Sequence, residues 1–144
     1  MLIATILTAC GSKTAYLHFE SVNPAAWHQD SVLCFAIAPE DTTAGYDLLL
    51  HIRHTNYYPY QNMWLFVQSE QGGTSHTDTI EIYLADDRGA WLGNGRNGLV
   101  TMPVLYDTQR HFGSDTLYLT VQQGMRDSLL RGVQDIGVEL IVDK

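Results

Sequence analysis

The chain has 144 residues and a mass of 16.2 kDa, which suits one domain that buries its core without disulfides or metal ions. Sixteen acidic residues against eight basic ones give a formal charge of -8. This balance excludes a phosphate-binding surface for nucleic acid and a polybasic membrane patch. With 45% hydrophobic and 17% charged residues, a disordered chain and a coiled coil are also excluded.

The first ten residues are typical of the end of a lipoprotein signal peptide. Residues 2–9 carry no charge and end in small residues before Cys10, as does the apolar region of a cleavable signal. Leu7-Thr8-Ala9-Cys10 resembles the bacterial lipobox, in which the cysteine thiol receives a diacylglyceryl group and the signal is cleaved before it. We therefore predict that Cys10 is lipidated. The alternative is a first β-strand at 2–7 with an unmodified Cys10.

The N-terminal prediction fixes the expected domain boundaries. We assign 1–9 to a remnant of the signal peptide, 10–16 to a lipidated tether and 17–144 to a single domain. A signal peptide usually has a basic start and about 15–30 residues, so we expect the native signal to begin upstream. Cys34 lies in an apolar run and is expected to be a small buried residue, the alternative being a disulfide with Cys10.

Alternating apolar and polar residues predict β-strands through most of the chain. The pattern occurs at 46–54, 78–84, 116–122 and 137–142. Residues 63–67 are continuously apolar and predict a central strand covered on both faces. Only 123–130 has helical spacing. About seven or eight strands separated by turns, with one short helix near the C-terminus, predict an all-β, jelly-roll-like antiparallel β-sandwich.

The segment from Arg53 to Trp64 contains three tyrosines around a proline. Pro59 fixes its own φ and holds the preceding residue in extended backbone, so the segment is expected to be a stiff aromatic loop. Exposed tyrosines can stack on a sugar or grip a peptide. The alternative is that the rings seal one end of the sandwich and hydrogen-bond through their hydroxyls. The predicted interaction surface consists of Arg53, Tyr57, Tyr58, Tyr60 and Arg126.

A glycine-rich stretch at 86–95 predicts tight turns with Trp91 and Leu92 directed inward as a plug. The aspartates of this stretch could contribute to a calcium site. A Ca²⁺ site at one end of the sandwich would draw on Asp41, Asp86, Asp87 and Asp107. The regular acidic spacing of a calcium loop is missing, however, and turn-forming aspartates that cap their own backbone are the alternative.

No catalytic, cofactor or metal site is predicted. His51 and His54 are three positions apart on a predicted strand, so their side chains point to opposite faces. A glycosidase needs two opposed carboxylates, and nothing in the sequence pairs two of its acids. There is neither a nucleophile elbow nor a phosphate loop. We therefore predict a protein that is not an enzyme.

Four segments together resemble the gliding-motility lipoprotein family GldH of the Bacteroidota, in the family's order and over nearly the whole chain. They are the lipobox at Cys10, Arg53-His54-Thr55-Asn56-Tyr57-Tyr58-Pro59-Tyr60-Gln61-Asn62, the run from Asp78 to Gly93, and Gln122-Gln123-Gly124-Met125-Arg126 followed by Leu130, Gly132, Asp135, Ile136 and Gly137. The resemblance implies an envelope lipoprotein tied to the gliding machinery, or to envelope assembly or secretion in bacteria that do not glide. It supplies no catalytic residue.

We therefore expect a non-enzymatic component of an envelope complex for motility or secretion, whose partners are the membrane, through the lipid on Cys10, and other envelope proteins. Surface-exported lipoproteins of the Bacteroidota resemble one another in having acidic residues just after the cysteine. The tether here has none, which favours a domain facing the periplasm. The alternative function is a carbohydrate- or peptidoglycan-binding module, which predicts a concave aromatic face.

Overall fold

The computed structural model describes residues 13–23 and 25–143, and these residues form eleven β-strands and no helix. The strands are β1 (Thr14–Ser21), β2 (Trp27–His28), β3 (Leu33–Ile37), β4 (Tyr46–Thr55), β5 (Asn62–Gln71), β6 (Thr74–Tyr83), β7 (Asn94–Arg96), β8 (Leu99–Arg110), β9 (Leu117–Gln123), β10 (Leu129–Leu130) and β11 (Val133–Val142). All of their pairings are antiparallel.

The strands form two main sheets that enclose one core, as the sequence predicted. Sheet I has the order β1-β11-β4-β8-β7 and sheet II the order β3-β9-β5-β6, while β10 and β2 form a separate short ladder. Alternate residues of each strand point into the space between the sheets. Leu50 and Ile52 of β4 and Leu65 of β5 are fully buried there, each stabilising the fold by about 2 kcal/mol through burial of apolar surface.

The predicted helix at 123–130 is wrong. Gln123 is the last residue of β9, and Leu129–Leu130 form β10, which pairs with β2. The buried side chain of Gln123 accepts a hydrogen bond from Met125 N (2.8 Å) and donates one to Asp127 O (2.7 Å). The segment between the two strands is therefore organised around this amide rather than around helical backbone bonds.

Two of the long strands, β1 and β8, lie where none was predicted. β1 begins at Thr14, so the folded domain begins inside the tether predicted at 10–16. The predicted signal remnant and Cys10 lie outside the described residues. β8 contains Pro103, which weakens a strand prediction because proline cannot donate to a ladder. Its outer neighbour β7 pairs only as far as Thr101, so the edge beside Pro103 is open and the missing N–H is tolerated.

The start of β1 and the tyrosine loop lie at opposite ends of the sandwich. β1 begins at Thr14 and ends at Ser21, which the register places beside Asp135 and, through it, beside Arg53. The loop 57–60 follows β4 at this second end. At about 3.3 Å per strand residue, Thr14 and the loop are about 25 Å apart.

Candidate binding site

A groove crosses the outer face of sheet II at the end that carries the tyrosine loop. It has a volume of about 470 Å³. Its lining, called the aromatic groove below, consists of Tyr60, Asn62, Trp64, Phe66, Thr79, Gly124, Met125 and Arg126. This lining offers stacking surfaces, one amide, hydroxyls and one guanidinium, and it contains no His, Cys, Asp or Glu that could act as a general base.

The floor of the aromatic groove comes from the alternation of β5. Met63 and Leu65 point into the core and are fully buried, whereas Trp64 is 37% and Phe66 43% exposed. The prediction that residues 63–67 are covered on both faces is therefore wrong for the outer face. Two large aromatic side chains at i and i+2 on an exposed sheet face form a stacking platform.

One wall of the aromatic groove is the segment that leaves β9. Gly124 N donates to Trp64 O (2.8 Å), and Trp64 N donates to Met125 Sδ (3.2 Å), so the segment is fastened to β5. A Cβ at position 124 would lie 3.1 Å from Phe66 Cζ. Glycine therefore lets the wall approach the Phe66 ring without pressing on it.

Tyr60 and Arg126 stand together in the aromatic groove. The Tyr60 hydroxyl donates to Asp127 Oδ2 (2.5 Å), and this hydrogen bond raises the pKa of Tyr60. Arg126 is exposed and forms no salt bridge with any carboxylate in the described part of the chain. Two of the five residues predicted as an interaction surface are thus brought to one site.

The other two tyrosines of the loop differ sharply in exposure. Tyr57 is 79% exposed and does not line the aromatic groove. Tyr58 is only 2% exposed, so its prediction as a contact residue is wrong. Its hydroxyl donates to Asn62 O (2.6 Å), its ring packs against Trp91, and burial raises its pKa. For Tyr58, the alternative that a ring seals the end of the sandwich is confirmed.

Arg53 lies on the outer face of sheet I, away from the groove. It donates to both carboxylate oxygens of Asp135, at 2.6 and 2.5 Å, and these bonds raise the pKa of Arg53. Its guanidinium stands 4.1 Å from the centroid of the Phe19 ring. Arg53 therefore joins β4 to β11 and β1, and the prediction that it shares a surface with the tyrosines and Arg126 is wrong.

Comparison with known proteins identifies the family of this chain. The family model described as GldH lipoprotein matches residues 14–140. The chain belongs to the GldH lipoprotein family. The chain is 30% identical over 148 residues to the gliding motility lipoprotein GldH of Flavobacterium johnsoniae, an alignment that covers 97% of this chain and 92% of the relative. It is also 30% identical over 144 residues to a GldH homolog of Christiangramia forsetii, with 94% and 88% covered.

Membership of the GldH lipoprotein family confirms the resemblance seen in the sequence. The matched range includes every residue of the aromatic groove and begins at the first residue of β1, so Cys10 precedes it. In the part of the chain that the structure describes, no helix has the length and hydropathy needed to cross a bilayer.

The groove aromatics Trp64 and Phe66 were missed at the sequence level, although a usable pattern was present. The alternating pattern continues past residue 67, and Gln68 and Glu70 fall on the same side of the strand as Trp64 and Phe66. Polar residues at these two positions indicate that this whole side of the strand faces solvent. A strand taken as 62–71 therefore identifies both rings as exposed, whereas the shorter window 63–67 contains only apolar residues.

His51, His54 and Asp86 all form hydrogen bonds within the fold. His51 bonds to Glu139 on the outer face of sheet I, while His54 is buried, which confirms their predicted opposite directions. Burial lowers the pKa of His54, whose Nδ1 donates to Thr55 O and whose Nε2 has no partner. Asp86 accepts from the backbone of its own turn, as the capping alternative predicted. Among the described residues no three His, Cys, Asp or Glu side chains gather as a metal site.

Two further predictions concern Cys34 and Trp91. Cys34 is exposed on the outer face of sheet II, so its predicted burial is wrong. Cys34 lies on the outward-facing side of β3, between the buried Leu33 and Phe35. Trp91 is directed inward as predicted, with its ring 4.6 Å from that of His54.

A second cavity, of about 400 Å³, lies between the edges of β6 and β8. Its polar side chains bond mainly to one another. Tyr106 donates to Asp78 Oδ2 (2.6 Å), which lowers the pKa of Asp78, and Arg110 donates to Asp107 and to Gln71. These contacts bridge the open edge of the sandwich and leave the aromatic groove as the stronger candidate for a binding site.

Proposed function

We propose that this chain is a lipid-anchored, non-enzymatic component of the envelope machinery for motility or secretion, and that it binds another envelope protein through the aromatic groove. The observation that carries the proposal is the exposed pair Trp64 and Phe66 beside Arg126, which forms no salt bridge within the described residues. Aromatic and arginine side chains are the types that dominate the energetics of protein interfaces.

In this proposal the lipid anchor is attached to Cys10. Family membership supports lipidation, because the matched family is one of lipoproteins and Cys10 ends a lipobox-like motif. Only three residues separate Cys10 from β1, which begins at Thr14. A fully extended segment of this length spans about 14 Å. We propose that the Thr14 end faces the membrane from the periplasmic side, with the Tyr60 end of the aromatic groove about 25 Å farther out.

This arrangement suits a protein that presents a binding surface to other envelope components. Anchoring at one end confines the domain to the membrane surface and raises its local concentration near membrane partners. A modest intrinsic affinity at the groove is then sufficient. The groove lies on an exposed face of sheet II and would be accessible to a partner in the periplasm.

The test is recovery of partners from native membranes after cross-linking. We expect Trp64→Ala and Arg126→Ala to lose the same cross-linked envelope proteins, because each removes one element of the groove. Tyr118→Ala is the matched control, since Tyr118 is a 55% exposed aromatic of sheet II outside the groove lining. Acylation and folding should be unchanged in all three variants. An identical set of partners in the wild type and both groove variants would refute the groove as the contact surface.

A second candidate function is binding of a glycan, because the aromatic groove is concave and lined with rings that a sugar can stack on. Purified peptidoglycan fragments and neutral oligosaccharides would be titrated into the full chain. This function predicts saturable binding that Trp64→Ala abolishes and Arg126→Ala only reduces. Absence of binding to all of these sugars would exclude it and leave protein docking.

A further inference from the structure

We propose that the free edge of β6 accepts an added antiparallel β-strand from another protein, along the stretch 79–83. The added strand carries aliphatic side chains on the face that points between the two sheets and basic side chains on its outer face. This second docking surface does not depend on the aromatic groove. Its supports are free backbone groups on β6, an apolar cleft beside them and the negative charge of that cleft.

The backbone of β6 is paired with β5 on one side only, because β6 is the last strand of sheet II. Trp64 of β5 directs its carbonyl oxygen toward β9, where it accepts from Gly124 N (2.8 Å). Its register partner on β6, Glu81, therefore belongs to a pair without ladder bonds. Since bonded and non-bonded pairs alternate, Thr79, Glu81 and Tyr83 direct their N–H and C=O groups toward the free edge.

The edge of β6 is regular, whereas the open edge of β8 beyond β7 is interrupted. All ten residues of β6 pair with β5 without a register shift, and none of them is proline. β8 contains Pro103 and has two shifts in its register with β4. Inward-pointing charges also protect sheet edges, and those of β6, His76 and Asp78, precede the stretch 79–83. This stretch is therefore the part of the edge that best accepts a strand.

An apolar cleft lies beside this stretch, between the edges of β6 and β8. It has a volume of about 380 Å³, and its apolar lining includes Ile80, Ile82, Val104 and Leu105. Ile80 and Val104 are only partly buried against the core, and Leu105 is 57% exposed. Inward side chains of an added strand would be about 7 Å apart. Aliphatic side chains at these positions would cover Ile80 and Val104 and extend the core.

Two carboxylates that line the cleft, Asp78 and Glu81, give it a negative charge. Asp78 accepts from the Tyr106 hydroxyl (2.6 Å), and Glu81 accepts from the Asn62 amide (2.8 Å). Both donors are neutral, so both carboxylates keep their charge. The described residues that line the cleft include no lysine or arginine.

Nearby basic side chains leave the charge of Glu81 uncompensated. Arg110 lies in the adjoining cavity and forms a salt bridge with Asp107 (2.9 Å). His76 lies 2.9 Å from Asp78 and compensates that carboxylate when it is protonated. Glu81 forms no salt bridge within the described part of the chain. A lysine or arginine on the outer face of an added strand would pair with it.

Charge also favours another protein over a second copy of this chain as the source of the strand. β6 contains Asp78 and Glu81 but no lysine or arginine, and the whole chain carries -8. Pairing of β6 with β6 of a second copy would bring four carboxylates to one edge, and like charges across strands are destabilising. A strand with basic residues meets the opposite charge.

The probe is the acetylated and amidated pentapeptide Lys-Ile-Lys-Ile-Lys, titrated into the isotopically labelled full chain. In the proposed pairing its lysines lie opposite Thr79, Glu81 and Tyr83, and its isoleucines face the cleft. We expect slower hydrogen exchange, followed by NMR, at the amides of these three residues. The amides of Ile80 and Ile82 should change little, because they are already bonded to β5.

N-methylated peptides separate strand pairing from attraction by charge alone. A methyl group on the amide nitrogen of the central lysine blocks a bond to β6, so this peptide should bind about tenfold more weakly. A methyl group on the second isoleucine nitrogen lies on the side away from β6. This matched peptide should bind within about threefold of the unmodified one.

Glu81→Gln tests the charge of the cleft in the protein itself. We expect this variant to bind the peptide about two- to fivefold more weakly, as the loss of one exposed ion pair predicts. Glu70→Gln is the matched control, since Glu70 is exposed on sheet II outside the cleft lining. It lies opposite Ser75, about 20 Å along the sheet from Glu81, which exceeds the screening length of roughly 8 Å. Its affinity should equal that of the wild type.

Three results would overturn the proposal. One is unchanged exchange at Thr79, Glu81 and Tyr83 when the peptide is present. Another is equal affinity of the two N-methylated peptides, which would mean that the peptide does not bind as a strand. The third is a dimer of the chain in sedimentation equilibrium that protects the same amides without peptide, which would make a second copy the occupant. The dependence of cross-linked partners on Trp64 tests the aromatic groove separately and is untouched by any of these results.

Discussion

Gly137→Ala is expected to loosen the attachment of β1 to sheet I. Gly137 of β11 lies directly opposite Phe19 of β1, and the Phe19 ring covers it. A Cβ at 137 would lie 2.4 Å from Phe19 Cε1 and 2.6 Å from Cδ1. Such contacts are not tolerated, so the ring must move. Gly137 does not have a positive φ, and backbone strain therefore adds nothing to the effect.

The size of the effect follows from what the displaced ring loses. Phe19 gives up its contact with the Arg53 guanidinium, now 4.1 Å from the ring centroid, worth about 0.5–1 kcal/mol at exposed sites. Exposing half of a phenyl side chain costs about 1–1.5 kcal/mol. Replacing glycine by alanine reduces the entropy of the unfolded chain and returns about 0.5 kcal/mol. The expected loss in the free energy of unfolding is about 1–2 kcal/mol.

Urea denaturation of the full chain measures this loss. We expect a lower midpoint with an unchanged slope, because the native and unfolded states keep their compactness. Gly95→Ala is the control: Gly95 lies in β7 of the same sheet, and a Cβ there would be 3.6 Å from Val100 Cγ2, which is an ordinary contact. That variant should stay within about 0.5 kcal/mol of the wild type.

A double-mutant cycle decides whether Phe19 is the cause. In a Phe19→Ala background the ring is gone, so Gly137→Ala should be neutral or slightly stabilising. If Gly137→Ala costs as much in that background as in the wild type, the ring does not occupy the space above the glycine and the reasoning is refuted.

Three further predictions concern other parts of the chain. Cys10→Ser should abolish incorporation of labelled palmitate and release the protein from membranes, whereas Cys34→Ser should do neither; label retained by the Cys10 variant would refute the lipobox. Burial lowers the pKa of His54. The unfolded chain therefore binds more protons than the folded one as the pH falls below about 6.5, and the free energy of unfolding decreases there. His54→Phe should reduce this decrease in urea titrations at several pH values, and an unchanged dependence of the free energy of unfolding on pH would contradict the prediction. Tyr58→Phe should lower the free energy of unfolding by about 1 kcal/mol, since the hydroxyl loses its carbonyl partner, while Tyr57→Ala should change it by less than about 0.5 kcal/mol; the reverse order in thermal melts would show that the exposures are misassigned.

The sandwich was predictable because its strands alternate. In β4 every second residue is buried and the others are partly exposed, and this period-two pattern is visible in the sequence alone. β1 was missed although Ala15, Leu17 and Phe19 alternate with more polar neighbours. This apolar side of the strand faces outward: Leu17 is 53% exposed, and Phe19 packs on the outer face of sheet I against Gly137 and Arg53. Such a contact depends on the register between strands, which a single strand does not encode.

The candidate binding site was only partly predictable for a related reason. Tyr60 and Arg126 were both placed in the predicted interaction surface and do line one groove, but nothing local separates Tyr58 from its neighbours. Its burial follows from packing on Trp91, which is remote in sequence. The predicted helix at 123–130 failed because a side chain, that of Gln123, supplies the bonds that hold the segment. Helical spacing of apolar residues does not report such competition.

The antiparallel pairing of β1 with β11 also determines how this domain would carry mechanical load. In the proposed arrangement, an acyl group at Cys10 would pull on Thr14 and a partner in the aromatic groove would hold the opposite end of the sandwich, so that tension would run along the axis of β1. Its backbone bonds to β11, from Thr14 to Ser21, are then loaded together in shear rather than opened one after another from a free end. With that anchor and that partner, the domain would transmit force between the two without unravelling at β1.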